Sequence, residues 1–175
     1  MQPPMPASQN KSPAAAGRAR IGDRLQHDLE SLIVRYVDRL RSDPLIPRAQ
    51  SLPSALLEDH ATSFLSDLFQ SLVVLENAGE LDDADESELL GDGNKIQRLI
   101  SELHGRQRRR LGWTEHALER EYQILREEVD SLVRRHAPDP DRAGDFSWAI
   151  HVLNQRLNSA RTASVAAFET ANESR

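Results

Sequence analysis

The sequence predicts an all-α protein, a helical bundle of about five helices of which the last two are long. Apolar residues recur at spacings of three and four in each long segment, which places them on one face of a helix. Stretches rich in proline, glycine and acidic residues separate these periodic segments. No segment alternates between apolar and polar residues over a useful length, so we expect no β-sheet.

The composition narrows the classes of function. A chain of 175 residues fits one domain with a tail, and its 38% hydrophobic and 29% charged residues are ordinary for a water-soluble protein. The net charge of -6 argues against affinity for nucleic acid or anionic membranes. The absence of cysteine excludes disulfides, thiol catalysis and thiolate metal sites, and no apolar stretch approaches the ~20 residues that cross a bilayer. We therefore expect a cytoplasmic protein without nucleic-acid or membrane partners.

The chain divides into a leader and one helical domain. Its first twenty residues are rich in proline, alanine, serine and glutamine and lack the apolar core of a secretory signal. We expect residues 1–22 to be a disordered leader and residues 23–172 to form the helical domain. We interpret the final helix as a linker that continues toward an effector. We therefore expect the chain to be a fragment of a larger protein.

Two helices are predicted in the first half of the domain. The first runs from about Asp23, a plausible N-cap, to Arg41, and Pro44 and Pro47 follow its end. The second begins near Ser51 with Pro53 in its first turn. Its apolar stripe is so broad that we expect it to be the most buried helix of the bundle. The stripe consists of Leu56, Leu57, Phe64, Leu65, Leu68, Phe69, Leu72 and Val73.

Residues 76–92 form an acidic segment with two glycines, which raises the question of a calcium site. An EF-hand loop requires glycine at its sixth position and a bidentate glutamate at its twelfth. Counting from Asp83, the sixth position is Glu88. A solvated loop without metal is therefore the better prediction for this segment.

The third helix is predicted to be short. Ile96, Leu99, Ile100 and Leu103 lie at i, i+3, i+4 and i+7, and Gly105 is expected to end the helix in the left-handed conformation. A basic turn, RQRRRLGW, should follow.

Thr114 is predicted to cap a fourth helix that reaches about His136, and a last helix should begin near Phe146. Both carry apolar residues in steps of three and four, as in a coiled-coil seam. We expect this seam to form a homodimer interface close to a four-helix bundle. The residues assigned to it are Leu118, Tyr122, Leu125, Val129, Ile150, Leu153 and Leu157.

The sequence contains no phosphate-binding loop, nucleophile elbow, zinc-binding H-E-x-x-H helix or kinase signature. Carboxylates alternate with arginines along helix faces, as at Glu121 between Arg120 and Arg126, which is typical of solvated charges. No pair of carboxyl groups is isolated among apolar residues, as general acid–base catalysis requires. We therefore expect no enzymatic activity, no catalytic residues and no metal site.

His104 is the one histidine that continues an apolar stripe, at the last turn of the third helix. One interpretation is a helix-terminal side chain that packs on the core, its cation favoured by the helix dipole. The other is an axial haem ligand or a polar anchor facing a cavity, with the nearby arginines holding an anionic group. A nucleic-acid site at the arginine cluster is disfavoured because the cluster is short and lacks aromatic residues between the charges.

Two stretches resemble a known family, residues 52–76 and, above all, residues 104–129, HGRQRRRLGWTEHALEREYQILREEV. The second stretch is similar to the RsbRD-type N-terminal sensor domain, which precedes histidine kinase transmitters and occurs in stressosome proteins related to RsbR. The resemblance covers roughly Asp23 to Thr170. The matching features are His104 with Gly105, an arginine three or four positions later, Gly112, Glu121 with Tyr122, and Leu125 with Arg126.

The resemblance implies a globin-like fold without obligatory haem, which dimerises through its last helices and passes a signal to a C-terminal effector. In globin-coupled sensors the haem-ligating histidine ends a short helix before two long ones, a place comparable to that of His104. The leading hypothesis is a sensory input domain of a bacterial histidine kinase or stress-response regulator, acting on a kinase or effector in cis or in trans. The alternatives are a haem or small-ligand protein that uses His104, and an adaptor that docks another protein.

Overall fold

The structure is a computed structural model that describes residues 21–78, 91–136 and 143–173. These residues form six α-helices and one 3-10 helix, without a strand, which confirms the all-α prediction. The predicted leader up to residue 20 and residues 79–90 of the acidic segment lie outside the described part. The helices are α1 Ile21–His27, α2 Leu29–Ser42, the 3-10 helix Pro47–Ser51, α3 Ser54–Ala78, α4 Gly91–Arg110, α5 Glu115–Arg135 and α6 Ala143–Glu173.

The three last helices form a layer in which α4 and α6 run parallel. Helix α5 is antiparallel to α6, because Glu119 contacts Arg161 at 2.6 Å while Asp130, further along α5, contacts the earlier Asn154 at 3.3 Å. Only a short turn separates α4 from α5. Helices α1, α2 and α3 pack against this layer and complete the core.

The N-terminal half differs from the prediction at several helix boundaries. The predicted first helix is two helices, α1 and α2, with Asp28 at the N-cap position of the second. Ile21 and Gly22, placed in the leader by sequence, are helical and buried. A 3-10 helix occupies residues 47–51, so Pro53 immediately precedes α3 rather than lying within its first turn. Helix α3 bends at Asp59, whose backbone dihedral angles are not helical.

Gly105 does not end the third helix, which continues to Arg110. The stop is Gly112, whose φ of 76° is left-handed. The amide of Gly112 donates to the carbonyl of Arg109 at 3.0 Å, and the amide of Trp113 donates to that of Arg108 at 3.1 Å. This pair of hydrogen bonds is a Schellman motif, which satisfies carbonyls that the helix end leaves without partners. The predicted cap of the next helix is confirmed, because the Thr114 hydroxyl accepts from the amide of Ala117 at 3.1 Å.

Helix α4 turns its polar face inward, opposite to the prediction. Three of the four apolar residues predicted to face the core are exposed, and only Ile100 packs partly against it. The buried face of α4 instead carries polar and charged side chains. These are Gln97, Ser101, His104 and Arg108.

The apolar seam of the last two helices lies inside a single chain. Six of the seven residues assigned to a dimer interface are buried in the core, and Ile150 is half-buried against it. Because α5 packs on α2 and α6, its apolar face is already covered. The structure therefore places these side chains in intramolecular packing rather than on a surface open to a second copy. The six buried residues are Leu118, Tyr122, Leu125, Val129, Leu153 and Leu157.

Among the described residues, none of the helices combines the length and the apolar composition that a membrane crossing demands.

Candidate functional site

A buried ion pair joins α4 to α5. The side chains of Arg108 and Glu121 are 0% and 1% exposed. The Nε of Arg108 donates to both carboxylate oxygens of Glu121 at 3.1 Å, and its Nη2 donates to Oε1 at 2.8 Å. An ion pair withdrawn from water this far requires partners for its remaining polar atoms.

The remaining donors of Arg108 reach the bend in α3. Nη1 donates to the carbonyl of Leu56 at 2.6 Å, and Nη2 donates to the carbonyl of Leu57 at 2.9 Å. Both carbonyls lie in the turn before Asp59, where the helix bends. The guanidinium carbon lies 4.8 Å from the centre of the Trp113 ring, a distance typical of a cation–π contact. Arg108 therefore ties the bent end of α3 to α4 and α5.

Glu121 has two further partners. The Tyr36 hydroxyl of α2 donates to Oε1 at 2.6 Å, and His104 Nε2 lies 3.1 Å from Oε2. Burial raises the pKa of Glu121, but the positive charge of Arg108 and the contacts with His104 outweigh burial and hold the pKa well below its ordinary value. Glu121 is thus a fixed buried anion, and we name Arg108, Glu121, Tyr36 and His104 the ionic cluster.

A second set of hydrogen bonds, beside the ionic cluster, connects α4 and α5 to α6. The Ser164 hydroxyl donates to the carbonyl of Ser101 at 2.5 Å, which leaves its oxygen to accept from the Tyr122 hydroxyl at 2.6 Å. The rings of His104 and Tyr122 meet edge to face, with centroids 5.9 Å apart. Burial raises the pKa of Tyr122, so its hydroxyl keeps its proton over the neutral range. The last helix is therefore in direct contact with the residues around Glu121.

At Gly105 the backbones of α4 and α6 approach each other closely. A methyl group at Gly105 would lie 2.0 Å from the carbonyl oxygen of Ser164. One turn further, the Arg109 guanidinium lies 5.1 Å from the centre of the Phe168 ring. The glycine was predicted as a helix stop, but it instead allows two parallel helix backbones to come into contact.

The cavity beside His104 is small. It has a volume of about 20 Å³. The residues that line it are Tyr36, His60, Ala61, Phe64, Ile100, Ser101, His104, Glu121, Tyr122 and Leu125. This volume fits roughly one water molecule. Cofactor pockets usually measure about 300–1,000 Å³, and the Nε2 atom of His104 already contacts Glu121. The geometry does not favour His104 as an axial haem ligand.

The structure corrects two interpretations of charged residues. Glu121, assigned by sequence to a solvated charge lattice, is buried, and Arg108, assigned to a basic turn, is fully buried as well. Nothing in the sequence distinguishes Tyr36, which lies within the predicted first helix. The one signal that pointed to this site is the motif at residues 104–129, which contains His104, an arginine four positions later, and Glu121 with Tyr122.

The ionic cluster is not arranged for proton transfer by Glu121. Both oxygens of Glu121 are occupied by donors, so the carboxylate is not poised to accept a proton from a substrate. Within residues 21–78, 91–136 and 143–173, no group of three or more histidine or acidic side chains could hold a metal ion. The arrangement fixes the mutual orientation of five helices.

Comparison of the chain with protein-family models, with curated proteins and with solved structures found no match in any of the three.

Proposed function

We propose that the chain is a sensory or regulatory input domain of a bacterial signalling protein, of the RsbRD type that precedes histidine kinases or stress-response effectors. One observation carries the proposal. Five of the residues on which the family resemblance rests meet at the junction of α4, α5 and α6: His104, Gly105, Arg108, Glu121 and Tyr122. A sequence motif without catalytic signature that coincides with a buried junction between helices is typical of conformational coupling rather than of chemistry.

The junction supports a route for the signal. Packed helices switch between discrete arrangements rather than deforming smoothly. A change at the ionic cluster would alter the hydrogen bond between Tyr122 and Ser164 and shift α6 along or about its axis. Helix α6 spans 31 residues and would carry the shift toward an effector.

Fusion to an output module tests this proposal. Residues 1–173 are joined in frame to a cytoplasmic histidine kinase transmitter that lacks its own input, and autophosphorylation is measured. We expect the fused domain to change the kinase rate relative to the transmitter alone. Tyr122→Phe, which removes only the hydroxyl that contacts Ser164, should change that rate further by several-fold.

The matched control is Glu30→Gln, which alters an exposed residue of α2. It should leave the kinase rate of the fusion unchanged. A folded fusion whose kinase rate equals that of the transmitter alone, and is insensitive to Tyr122→Phe, would refute the proposal. Circular dichroism of each fusion verifies that the helices are present.

A further inference from the structure

Helix α4 carries an apolar stripe on its outer surface. Ile96, Leu99 and Leu103 are 54%, 55% and 42% exposed and lie at i, i+3 and i+7 over two turns. Single exposed apolar residues are common on protein surfaces, but three in register on one helix form a contiguous patch. We name these three residues the α4 stripe.

The ionic cluster explains why the α4 stripe faces outward. His104 and Arg108 on the inner face of α4 are bound to Glu121, and Arg108 also donates to carbonyls of α3. Rotating α4 to bury the α4 stripe would break these contacts and leave buried charges without partners. The exposure of the stripe is therefore fixed by the same contacts that build the core.

We propose that the α4 stripe is the surface through which two copies of this chain associate, with their α4 helices antiparallel about a two-fold axis near Leu99. This inference rests on the proposed function and deepens it, because it supplies an interface for the dimer that the family resemblance implies. It also moves the interface from the last two helices, whose seam is buried, to α4.

The α4 stripe is complementary to itself in the antiparallel orientation. With the axis near Leu99, Ile96 of one copy meets Leu103 of the other, and the two Leu99 side chains meet at the centre. Such a two-fold contact is closed, because the same patch serves both copies. Small interfaces built from one helix per copy fall below about 1,200 Å² in total, so we expect a dissociation constant in the micromolar range.

The charges that flank the α4 stripe favour the antiparallel orientation. Lys95 and Glu102 are seven positions apart and lie along the same edge of the helix. In the antiparallel pair the same edge of both helices meets, so Lys95 of each copy faces Glu102 of the other. In a parallel pair these residues would lie on opposite edges of the interface, and this pairing would be lost. Glu102 contacts Arg98 at 3.1 Å and Arg106 at 3.4 Å within its own helix, and such exposed pairs are weak enough to rearrange.

The association state of the whole 175-residue chain is the first test. Sedimentation velocity over a concentration series should show a reversible dimer, and Leu99→Glu should weaken it by at least about tenfold. Val34→Glu is the matched control, because Val34 is 56% exposed on α2 and lies outside the α4 stripe. A chain that stays monomeric up to about 200 µM, well above the expected dissociation constant, overturns the proposal in favour of a different partner. Equal weakening by both variants overturns it as well.

Cysteine cross-linking tests the orientation, and the chain contains no native cysteine to interfere. Under mild oxidation Leu99→Cys should cross-link to itself across the axis. Ile96→Cys alone should not, but it should cross-link to Leu103→Cys when the two variants are mixed. Self-cross-linking of Ile96→Cys without cross-linking to Leu103→Cys would indicate parallel helices and overturn the antiparallel assignment.

The two proposals fail in different ways. A monomeric chain whose kinase fusion still responds to Tyr122→Phe rejects the α4 dimer and leaves the input function standing. A dimer that depends on Leu99, in a chain whose fusion has the kinase rate of the transmitter alone and ignores Tyr122→Phe, rejects the input function and retains the interface.

Discussion

Arg108 and Glu121, thirteen positions apart in the sequence, form a doubly hydrogen-bonded ion pair that is almost completely withdrawn from water. Every other element of the site is arranged around this pair. Tyr36 and His104 occupy the remaining positions on the carboxylate, and carbonyls of α3 occupy those on the guanidinium. Burying the pair costs desolvation free energy, and removing either partner leaves a buried charge without compensation. The pair therefore fixes the rotation of α4 about its own axis.

Removal of one partner should destabilise the protein strongly. Glu121→Gln keeps the shape of the side chain but leaves the Arg108 cation in the core without an anion. We expect a loss of about 3–5 kcal/mol in the free energy of unfolding, measured by urea denaturation. Arg98→Ala, which removes an exposed contact with Glu102, should cost less than about 1 kcal/mol. Equal losses in the two variants would show that the buried pair does not carry the stability assigned to it.

Acid should weaken the fold through the same carboxylate. The pKa of Glu121 lies well below its ordinary value in the folded state, so in acid the unfolded chain takes up a proton that the folded chain does not. Its stabilising contribution is therefore complete above the unfolded pKa of about 4.3 and is lost as the pH falls toward the folded pKa. We expect the urea midpoint to fall steadily between about pH 5 and pH 3.

The control for this pH dependence is Glu127→Gln. Glu127 also has a lowered pKa, caused first by its hydrogen bond with Arg39, but its side chain is 41% exposed. Because water screens this contact, the variant should keep nearly the same acid dependence as the wild type. A midpoint that does not change across this pH range would contradict the assignment of Glu121.

Local patterns in the sequence predicted the helices well and the ionic cluster poorly. Thr114 was identified as a cap because its partner, the amide of Ala117, is three residues away. Arg108 was missed because its partners lie far along the chain: Glu121 on α5 and the carbonyls of Leu56 and Leu57 on α3. A run of arginines after a helix is the usual pattern of a solvated turn, and nothing within a few residues of Arg108 distinguishes it.

The prediction of which face of α4 is buried was wrong for the same reason, namely partners that lie far along the chain. Hydrophobic periodicity assumes that apolar residues outcompete polar ones for the core. Here His104 and Arg108 find buried partners on α3 and α5, and the apolar stripe remains outside. The sequence records which residues are polar, but it does not record which of them will meet a partner.

Hemin should not bind at His104. The cavity there has a volume of about 20 Å³, and the Nε2 atom that would coordinate iron contacts Glu121 instead. Titration with hemin, followed in the Soret region, should give the same spectrum for the wild type and for His104→Ala. A Soret shift that His104→Ala abolishes would mean that the helices open to admit haem, and it would favour the haem hypothesis.

Gly105→Ala should separate α4 from α6. The added methyl group would lie 2.0 Å from the carbonyl oxygen of Ser164, and this neighbour is backbone, so a whole helix has to move. Overpacking of this kind costs about 1–3 kcal/mol, and we expect a lower thermal midpoint together with a weakened contact between Tyr122 and Ser164.

Gly93→Ala is the matched control for this substitution. Gly93 lies in the same helix, and a methyl group there meets nothing within 4 Å. Alanine is a better helix former than glycine by about 1 kcal/mol, so this variant should raise the thermal midpoint slightly. If the thermal midpoint falls for Gly105→Ala and rises for Gly93→Ala, the loss at Gly105 is caused by the close approach of Ser164 and not by helix propensity. If Gly105→Ala also raised the midpoint, the α4 and α6 backbones could not be in contact at this residue.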